Sequence, residues 1–457
     1  MNFKDADLIV KHSHEITRLA TLASQNDNIV PSAYERYDVK RGLRDADGKG
    51  VLCGLTEISE VTAWSEKGGK RVPVKGELHY RGYNVKDLVK NAVEENRFGF
   101  EETAYLLLFG KLPAASELES FCAILSDFRS LPRNFVRDVI MKQPSKDAMN
   151  MLARCVLSLY GYDPDPDNTS ISNVLRQCLG LIAQLPMLAA YSYRAYRYYD
   201  TDDGSLVIHK PVAEYSTAQN ILHVLRKDNS FTDLEAKVLD VCLTLHADHG
   251  GGNASTFTTH LATSTGTDTY SSPAASLGSL KGPKHGGANV KVMQMLENIK
   301  QNVKTGSRDA VYDYVEKIID KKAFDKTGLV YGVGHAVYTL SDPRAEVLKI
   351  YAEKLAKAKG LEEEFALYET VATAASEITN AKMNLHKPLT PNVDFYSGFV
   401  YSTLKLPAAL YTPLFAIARI AGWSAHRIEE LLCGGKIIRP AYACVQDRRE
   451  YVPIDKR

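Results

Sequence analysis

No C-x-x-C pair occurs in the 457-residue chain, and its seven cysteines (Cys53, Cys122, Cys155, Cys178, Cys242, Cys433, Cys444) are odd in number and widely spread. That spacing argues against a disulfide framework and fits reduced thiols in a cytosol. A charge excess is missing too: 56 basic and 55 acidic residues leave a formal net charge of +1, with neither a nucleic-acid footprint nor an acidic tail. No apolar run reaches the roughly 20 residues a membrane span needs. The most apolar stretches, 181–190 and 407–420, are interrupted by Pro186, Pro413 and Arg419. The N-terminus, MNFKDADLIVKHSHEITRLA, is amphipathic but carries Asp5, Asp7 and Glu15, so it reads as neither a signal nor a transit peptide. G-x-x-x-x-G-K-[ST] is absent, and GVGHAV (332–337) lacks the third glycine and the strand–helix context of a dinucleotide site. The expectation is a soluble cytoplasmic protein with no nucleic-acid or membrane partner.

What is present is ordinary in bulk, 45% hydrophobic and 24% charged. The length provides two or three domains' worth of core, without repeats or low-complexity segments. Residues 25–80 are rich in Gly, Pro and Asp with short apolar pieces such as VLCGL and EISEV, a pattern of turns and short strands. From about residue 85 apolar residues recur at i, i+3, i+4 and i+7, as in DLVKNAVEE, KDAMNMLARCVLSLYG and LEAKVLDVCLTLHAD. Caps such as Ser216 and Thr232 punctuate these runs, so the fold is expected to be mainly α-helical. YSYRAYRYYD (191–200) interleaves Arg194 and Arg197 with tyrosines, as some single-strand binders do. At the close of an apolar run it reads as a helix end with snorkelling side chains.

Five segments carry polar groups that packing alone does not demand. In HADHGGGNAS (246–255), His246 and His249 lie three apart at a helix end, followed by glycines that let a ligand approach the backbone. A metal set of His246, Asp248, His249 and His260 is one alternative there, and a simple helix terminus is another. In GPKHGGAN (282–289), His285 stands at the start of a helix, where the dipole disfavours protonation. A neutral imidazole there can donate to a carbonyl oxygen as an enolate develops. VYGVGHAVYTLSDPRAEVL (330–348) presents His335 after a glycine pair, then a helix start at Asp342–Pro343 with Arg344 in its first turn, suited to a carboxylate. In PNVDFYSGF (391–399), Asp394 lies among apolar neighbours that would raise its pKa and make it a stronger base, with a helix N-cap as the plain alternative. Arg419, in LFAIARIAGW, would be buried and in need of an anion, and Arg439 follows near the C-terminus.

Taken in order, LHADHGGGN, GPKHGGAN, GVGHAVYTLSDPR, PNVDFYSG, AIARIAGW and IIRP resemble the citrate synthase family, from about GELHYRGY (76–83) to the C-terminus. The resemblance implies an acyltransferase that condenses acetyl-CoA with oxaloacetate and hydrolyses citryl-CoA, the entry step of the tricarboxylic acid cycle. It implies Asp394 as base, His285 as donor to the thioester oxygen and His335 as donor to the oxaloacetate carbonyl. His249, Arg344 and Arg419 would hold oxaloacetate, with Asn253 supporting His249 and Arg439 reaching in from the second subunit of a homodimer. No permanently bound cofactor and no metal are implied; acetyl-CoA is a co-substrate. Ala336 and Thr339 are neutral where some relatives carry a basic CoA contact, and Lys284, Lys382, His386 and Lys387 are the substitutes considered. The implied fold is two-domain: a segment 1–75 of turns and short strands packed on a large helical domain (76–289 and 396–457), with a small helical domain (290–395) inserted. Alternatives are a 2-methylcitrate synthase using propionyl-CoA, a metal-dependent helical hydrolase, and a catalytically silent binding protein.

Overall fold

The computed structural model describes residues 3–26, 29–45, 48–68, 70–200, 205–303, 307–334, 337–383 and 389–457. The helical spacing read from residue 85 onward becomes helices, and among the described residues the strands are confined to one antiparallel sheet, Ser59–Lys67, Lys70–Tyr80 and the two-residue Tyr83–Asn84. VLCGL forms no strand, while EISEV runs into the first strand. Ser216 and Thr232 cap their helices as expected, each in a reciprocal pairing with Gln219 or Glu235.

One apolar run behaves differently from its sequence. Pro186 does not end a helix: Ile171–Asp200 is a single 30-residue helix that also takes in YSYRAYRYYD. Proline in a helix interior costs about 3 kcal/mol. Here almost every residue from Leu181 to Ala190 is buried, and that packing outweighs the lost backbone bond. The helix has the length and apolarity of a membrane span, but its apolar window is 78% buried within the fold.

The chain divides into two compact units, Met1–Gly54 with Arg439–Arg457, and Leu55–Ile438. The first holds the helices Phe3–Gln25 and Pro31–Arg36 and a bridge between Arg44 and Gly50. The expected large-and-small-domain division is a different one, and its approximate bounds fall inside secondary-structure elements. A break at 75/76 would cut the strand Lys70–Tyr80, and breaks at 289/290 and 395/396 would cut the helices Ala288–Asn302 and Val393–Thr403. A backbone ladder or helix is cooperative, so a boundary falls at its end.

In the second unit the helix Tyr411–Leu432 is buried almost all round, as its unbroken apolar sequence requires. It packs on Ile171–Asp200, Asp233–His246 and Ala254–Ser264. Gly422 allows close approach: a Cβ there would lie 2.4 Å from Asp248 Oδ1 and 2.5 Å from the Ala247 carbonyl. Pro343–Lys359 packs on Val393–Thr403, and both meet Asp233–His246.

The sheet supports the segment that leads into Arg344. Its register slips between Thr62 and Trp64, a bulge that turns the strand. Trp64 Nε1 donates to the Val337 carbonyl (3.3 Å), and the Gly76 amide donates to Ser341 Oγ (3.3 Å). A Cβ on Gly76 would stand 2.1 Å from the Ser341 carbonyl and 2.5 Å from the Tyr338 ring. Gly76→Ala should therefore displace 338–341, at a cost of about 1–3 kcal/mol. Thermal melting should record that loss, together with a raised KM for whatever anion Arg344 binds. An unchanged melting temperature and KM would refute this close-packing account.

Candidate active site

His285 stands in the turn before Ala288–Asn302, a helix whose N-cap is Gly287. The turn folds back so that the Gly286 amide donates to the Leu280 carbonyl (2.9 Å), which a Cβ on Gly286 would approach to 2.5 Å. The glycines of GPKHGGAN thus serve the close turn. Nε2 of His285 accepts from the Ser255 backbone N–H (3.3 Å) and lies 2.9 Å from Ser255 Oγ. A backbone N–H only donates, so Nε2 presents a lone pair and the proton of the neutral ring sits on Nδ1. Burial, then the charge of Arg419, push the pKa down to about 4. The helix end that fixes this state is the first turn of Ala254–Ser264, not the helix that follows His285.

The glycine loop places its two histidines in different surroundings. His246 is buried against Phe415 (ring centroids 4.8 Å apart) and donates from Nδ1 to the Cys242 carbonyl (2.7 Å). Burial lowers its pKa to about 3, so it is neutral. The His249 ring instead lies edge-on to Tyr338 at 5.4 Å. Asp248, fully buried, accepts from Ser59 Oγ, from the Gly250 amide (3.0 Å) and from His426 Nε2 (3.3 Å). Desolvation would raise its pKa, but His426 holds it down at about 2. The alternative metal set of His246, Asp248, His249 and His260 does not come together as a group among the described residues, and His260 is tied to His426 and Glu430. Asn253 caps Ala254–Ser264 by accepting from the Thr256 amide, and its Nδ2 donates to the Gly250 carbonyl (2.7 Å) and Thr256 Oγ1 (2.8 Å). Its polar atoms hold the loop that carries His249.

Asp342 is the N-cap of Pro343–Lys359, as Asp-Pro predicts, and Arg344 is buried beside it. The guanidinium grips the carboxylate twice, Nε to Oδ1 (3.0 Å) and Nη2 to Oδ2 (2.8 Å). Burial opposes the charge of Arg344, and Asp342 more than offsets that. Asp342 Oδ2 also accepts from the Val393 amide (3.2 Å), tying this turn to the start of the next site helix. Asp394 is not an N-cap: Asn392 caps Val393–Thr403 and accepts from the Asp394 amide (3.0 Å). Asp394 Oδ1 is buried with no hydrogen-bond partner among the described residues. Burial raises the pKa to about 6, with Arg344 pulling the other way.

Arg419 is buried over the Phe415 ring (4.7 Å). Its Nε donates to the His246 carbonyl (2.7 Å), while Nη2 has no hydrogen-bond partner among the described residues. Burial lowers its pKa to about 10, still charged at neutral pH. Its charge is felt by His285, Asp394 and Arg344, so these four groups share one electrostatic neighbourhood. Arg439 belongs to the other unit, where it is exposed. Lys284 is exposed, and Lys382 is paired with Asp320 and Glu316. His335, His386 and Lys387 lie outside the described residues. Gly334, just before His335, is fastened to the stretch ahead of Asp394: its amide donates to the Thr390 carbonyl (2.8 Å) and its carbonyl accepts from Asn392 Nδ2 (2.9 Å).

Sequence reasoning missed Ser255, Tyr338 and Phe415, and saw Asp342 only as a helix start. Asp342 had a readable signal, an acid two residues from an arginine in a first turn. The others act through contacts across long sequence separations that carry no local pattern.

The family model for the citrate synthase C-terminal domain matches residues 45–441. A citrate synthase of Synechocystis sp. is 37% identical over 387 residues, 84% of this chain and 88% of its own. A protein named 2-methylcitrate synthase 2 from Corynebacterium glutamicum is 31% identical over 425 residues, 92% of this chain and 98% of its own. Among solved structures, citrate synthase from Thermoplasma acidophilum, in a ternary complex with carboxymethyl coenzyme A and oxaloacetate, superposes with a TM-score of 0.74 at 26% identity, covering 92% and 99% of the two chains. This mainly α-helical chain is therefore an acyltransferase-type enzyme and belongs to the citrate synthase family.

Proposed function

We propose that the protein condenses acetyl-CoA with oxaloacetate and hydrolyses the citryl-CoA formed, releasing citrate and CoA. One observation carries this reading: Asp394 keeps a buried carboxylate oxygen unpartnered among the described residues and a raised pKa, under the influence of Arg344 and Arg419. A thioester α-proton is weakly acidic, so a base and an oxyanion donor must act together. Asp394 takes the proton from the acetyl methyl while His285 Nδ1–H bonds the thioester oxygen. The enol carbon adds to the oxaloacetate carbonyl, whose oxygen takes a proton from His335. Water then cleaves the thioester. Arg344, Arg419 and His249 bind oxaloacetate, and Lys284, His386 and Lys387 are the basic candidates for CoA, with Lys382 already engaged.

The same reading includes a cytoplasmic homodimer at the entry of the tricarboxylic acid cycle, with no resident cofactor. All seven cysteines are free, which fits a reducing compartment. Tyr442, Tyr451 and Ile454 are strongly exposed in the C-terminal stretch that carries Arg439, as in an arm that a neighbouring subunit covers. Division into a large and a small helical domain that close over the substrates belongs to the same reading, with His249, His285 and Arg419 on the large domain and Asp394 on or next to the small one.

Purified protein should release free thiol from acetyl-CoA only when oxaloacetate is present. Relatives named 2-methylcitrate synthase favour propionyl-CoA as the second reading. One methylene discriminates by only about 1–3 kcal/mol, so kcat/KM for both thioesters decides between them. We expect the acetyl ester to be preferred, by up to roughly 200-fold. Oxaloacetate-independent release, or none from a folded protein, would reject the condensation.

A further inference from the structure

His260 lies on Ala254–Ser264, and His426 and Glu429 lie three apart on Tyr411–Leu432, hence on one face of that helix. None belongs to the substrate machinery above. His260 Nε2 and His426 Nδ1 face each other at 3.0 Å, with the rings nearly perpendicular (72°). Glu429 Oε2 is 3.7 Å from His426 Nδ1, and the three atoms all lie within 4.8 Å of one another. That oxygen is buried with no hydrogen-bond partner among the described residues, while Oε1 accepts the Glu57 amide (2.7 Å).

The outward nitrogens are occupied in a telling way. His426 Nε2 is 3.3 Å from Asp248 Oδ2, and His260 Nδ1 is 2.8 Å from Glu430 Oε2. Each imidazole thus directs one nitrogen to a carboxylate and the other to the common point that Glu429 also faces. Carboxylates behind histidines in this manner fix the tautomer and orientation that metal ligation requires. Donors about 2.0–2.1 Å from a tetrahedral zinc lie roughly 3.3 Å apart, and the observed 3.0 and 3.7 Å straddle that spacing.

We propose that His260 Nε2, His426 Nδ1 and Glu429 Oε2 bind a divalent transition metal of the zinc class, with water in the fourth position. Two imidazoles and one carboxylate suit zinc or cobalt over magnesium or calcium. Binding displaces the proton that His426 otherwise carries, the ion's charge replacing the imidazolium's beside Asp248. The ion would tie Ala254–Ser264 to Tyr411–Leu432 through their side chains.

Untagged full-length protein, stripped with a chelator and titrated with Co2+, tests this. One equivalent should bind with the visible absorption of tetrahedral cobalt, and the melting temperature should rise with added metal. His260→Gln and Glu429→Gln should each abolish the band, with thiol release retained as a check on folding. Glu430→Gln, at the rim, should weaken binding by about 10- to 100-fold. Absence of stoichiometric binding to folded protein, a band that survives both His260→Gln and Glu429→Gln, or sulfur-to-cobalt charge transfer pointing to cysteine ligands would each overturn the proposal.

Discussion

Asp394→Asn is expected to lower kcat/KM for acetyl-CoA by about 10²–10⁴-fold, the contribution of a positioned general base. Oxaloacetate binding should persist, because Arg344, Arg419 and His249 remain. The sign of the pH dependence follows from burial, which lifts the carboxyl from its ordinary value to about 6. The base must be ionised, so kcat/KM should rise with pH through about 6 and level above it. For folding the sign is opposite. A raised carboxyl pKa stabilises the native state fully below the unfolded value, about 4, and that contribution is lost as pH rises through about 6. The Asn variant should therefore melt at or above the wild-type temperature near neutral pH, while failing to exchange the α-protons of acetyl-CoA into deuterated water. A variant that loses both oxaloacetate binding and stability would make Asp394 a structural residue instead.

That pairing of lost activity with kept stability separates what was legible in the sequence from what was not. Caps and helix starts are local, so Ser216, Thr232 and Asp342–Pro343 could be placed from a few letters. Asp394 was read as lying among apolar neighbours; its Oδ1 is buried but within the influence of Arg344 and Arg419, and the rival N-cap role fell to Asn392 two residues earlier. The neutrality of His285 was anticipated but for a different reason: burial and the charge of Arg419 lower its pKa, and the donor that fixes its tautomer, the Ser255 amide, is 30 residues upstream. Pro186 misled because proline propensity is local, whereas burial along the whole of Ile171–Asp200 is tertiary. Likewise, His260 was grouped with His246 and His249 by proximity along the chain. Its actual partner, His426, is 166 residues away and has no sequence pattern to reveal it.

Two arginines eight residues apart on Tyr411–Leu432 supply the second large effect, because each controls for the other. Both are essentially buried. Arg427 is satisfied by the protein: Nε donates to Thr269 Oγ1 (3.2 Å), Nη1 to Thr263 Oγ1 (3.2 Å) and Nη2 to the Thr267 carbonyl (2.8 Å). Arg419 spends Nε on the His246 carbonyl and, among the described residues, leaves Nη2 open in the electrostatic neighbourhood of His285 and Asp394. A buried guanidinium with an open donor is costly unless an anion meets it, and replacing an unmatched buried charge by an apolar side chain of similar volume is often neutral or stabilising. Arg419→Met should thus keep most of the stability yet lose about 2–5 kcal/mol of oxaloacetate binding, at least a roughly 30-fold rise in KM. Arg427→Met should do the reverse. It strands buried polar groups at about 1–3 kcal/mol each, so the melting temperature falls while the KM of the protein that remains folded is little changed. Equal effects of the two substitutions on KM would mean that Arg419 is a packing residue, and the anion-binding role assigned to its free Nη2 would be wrong.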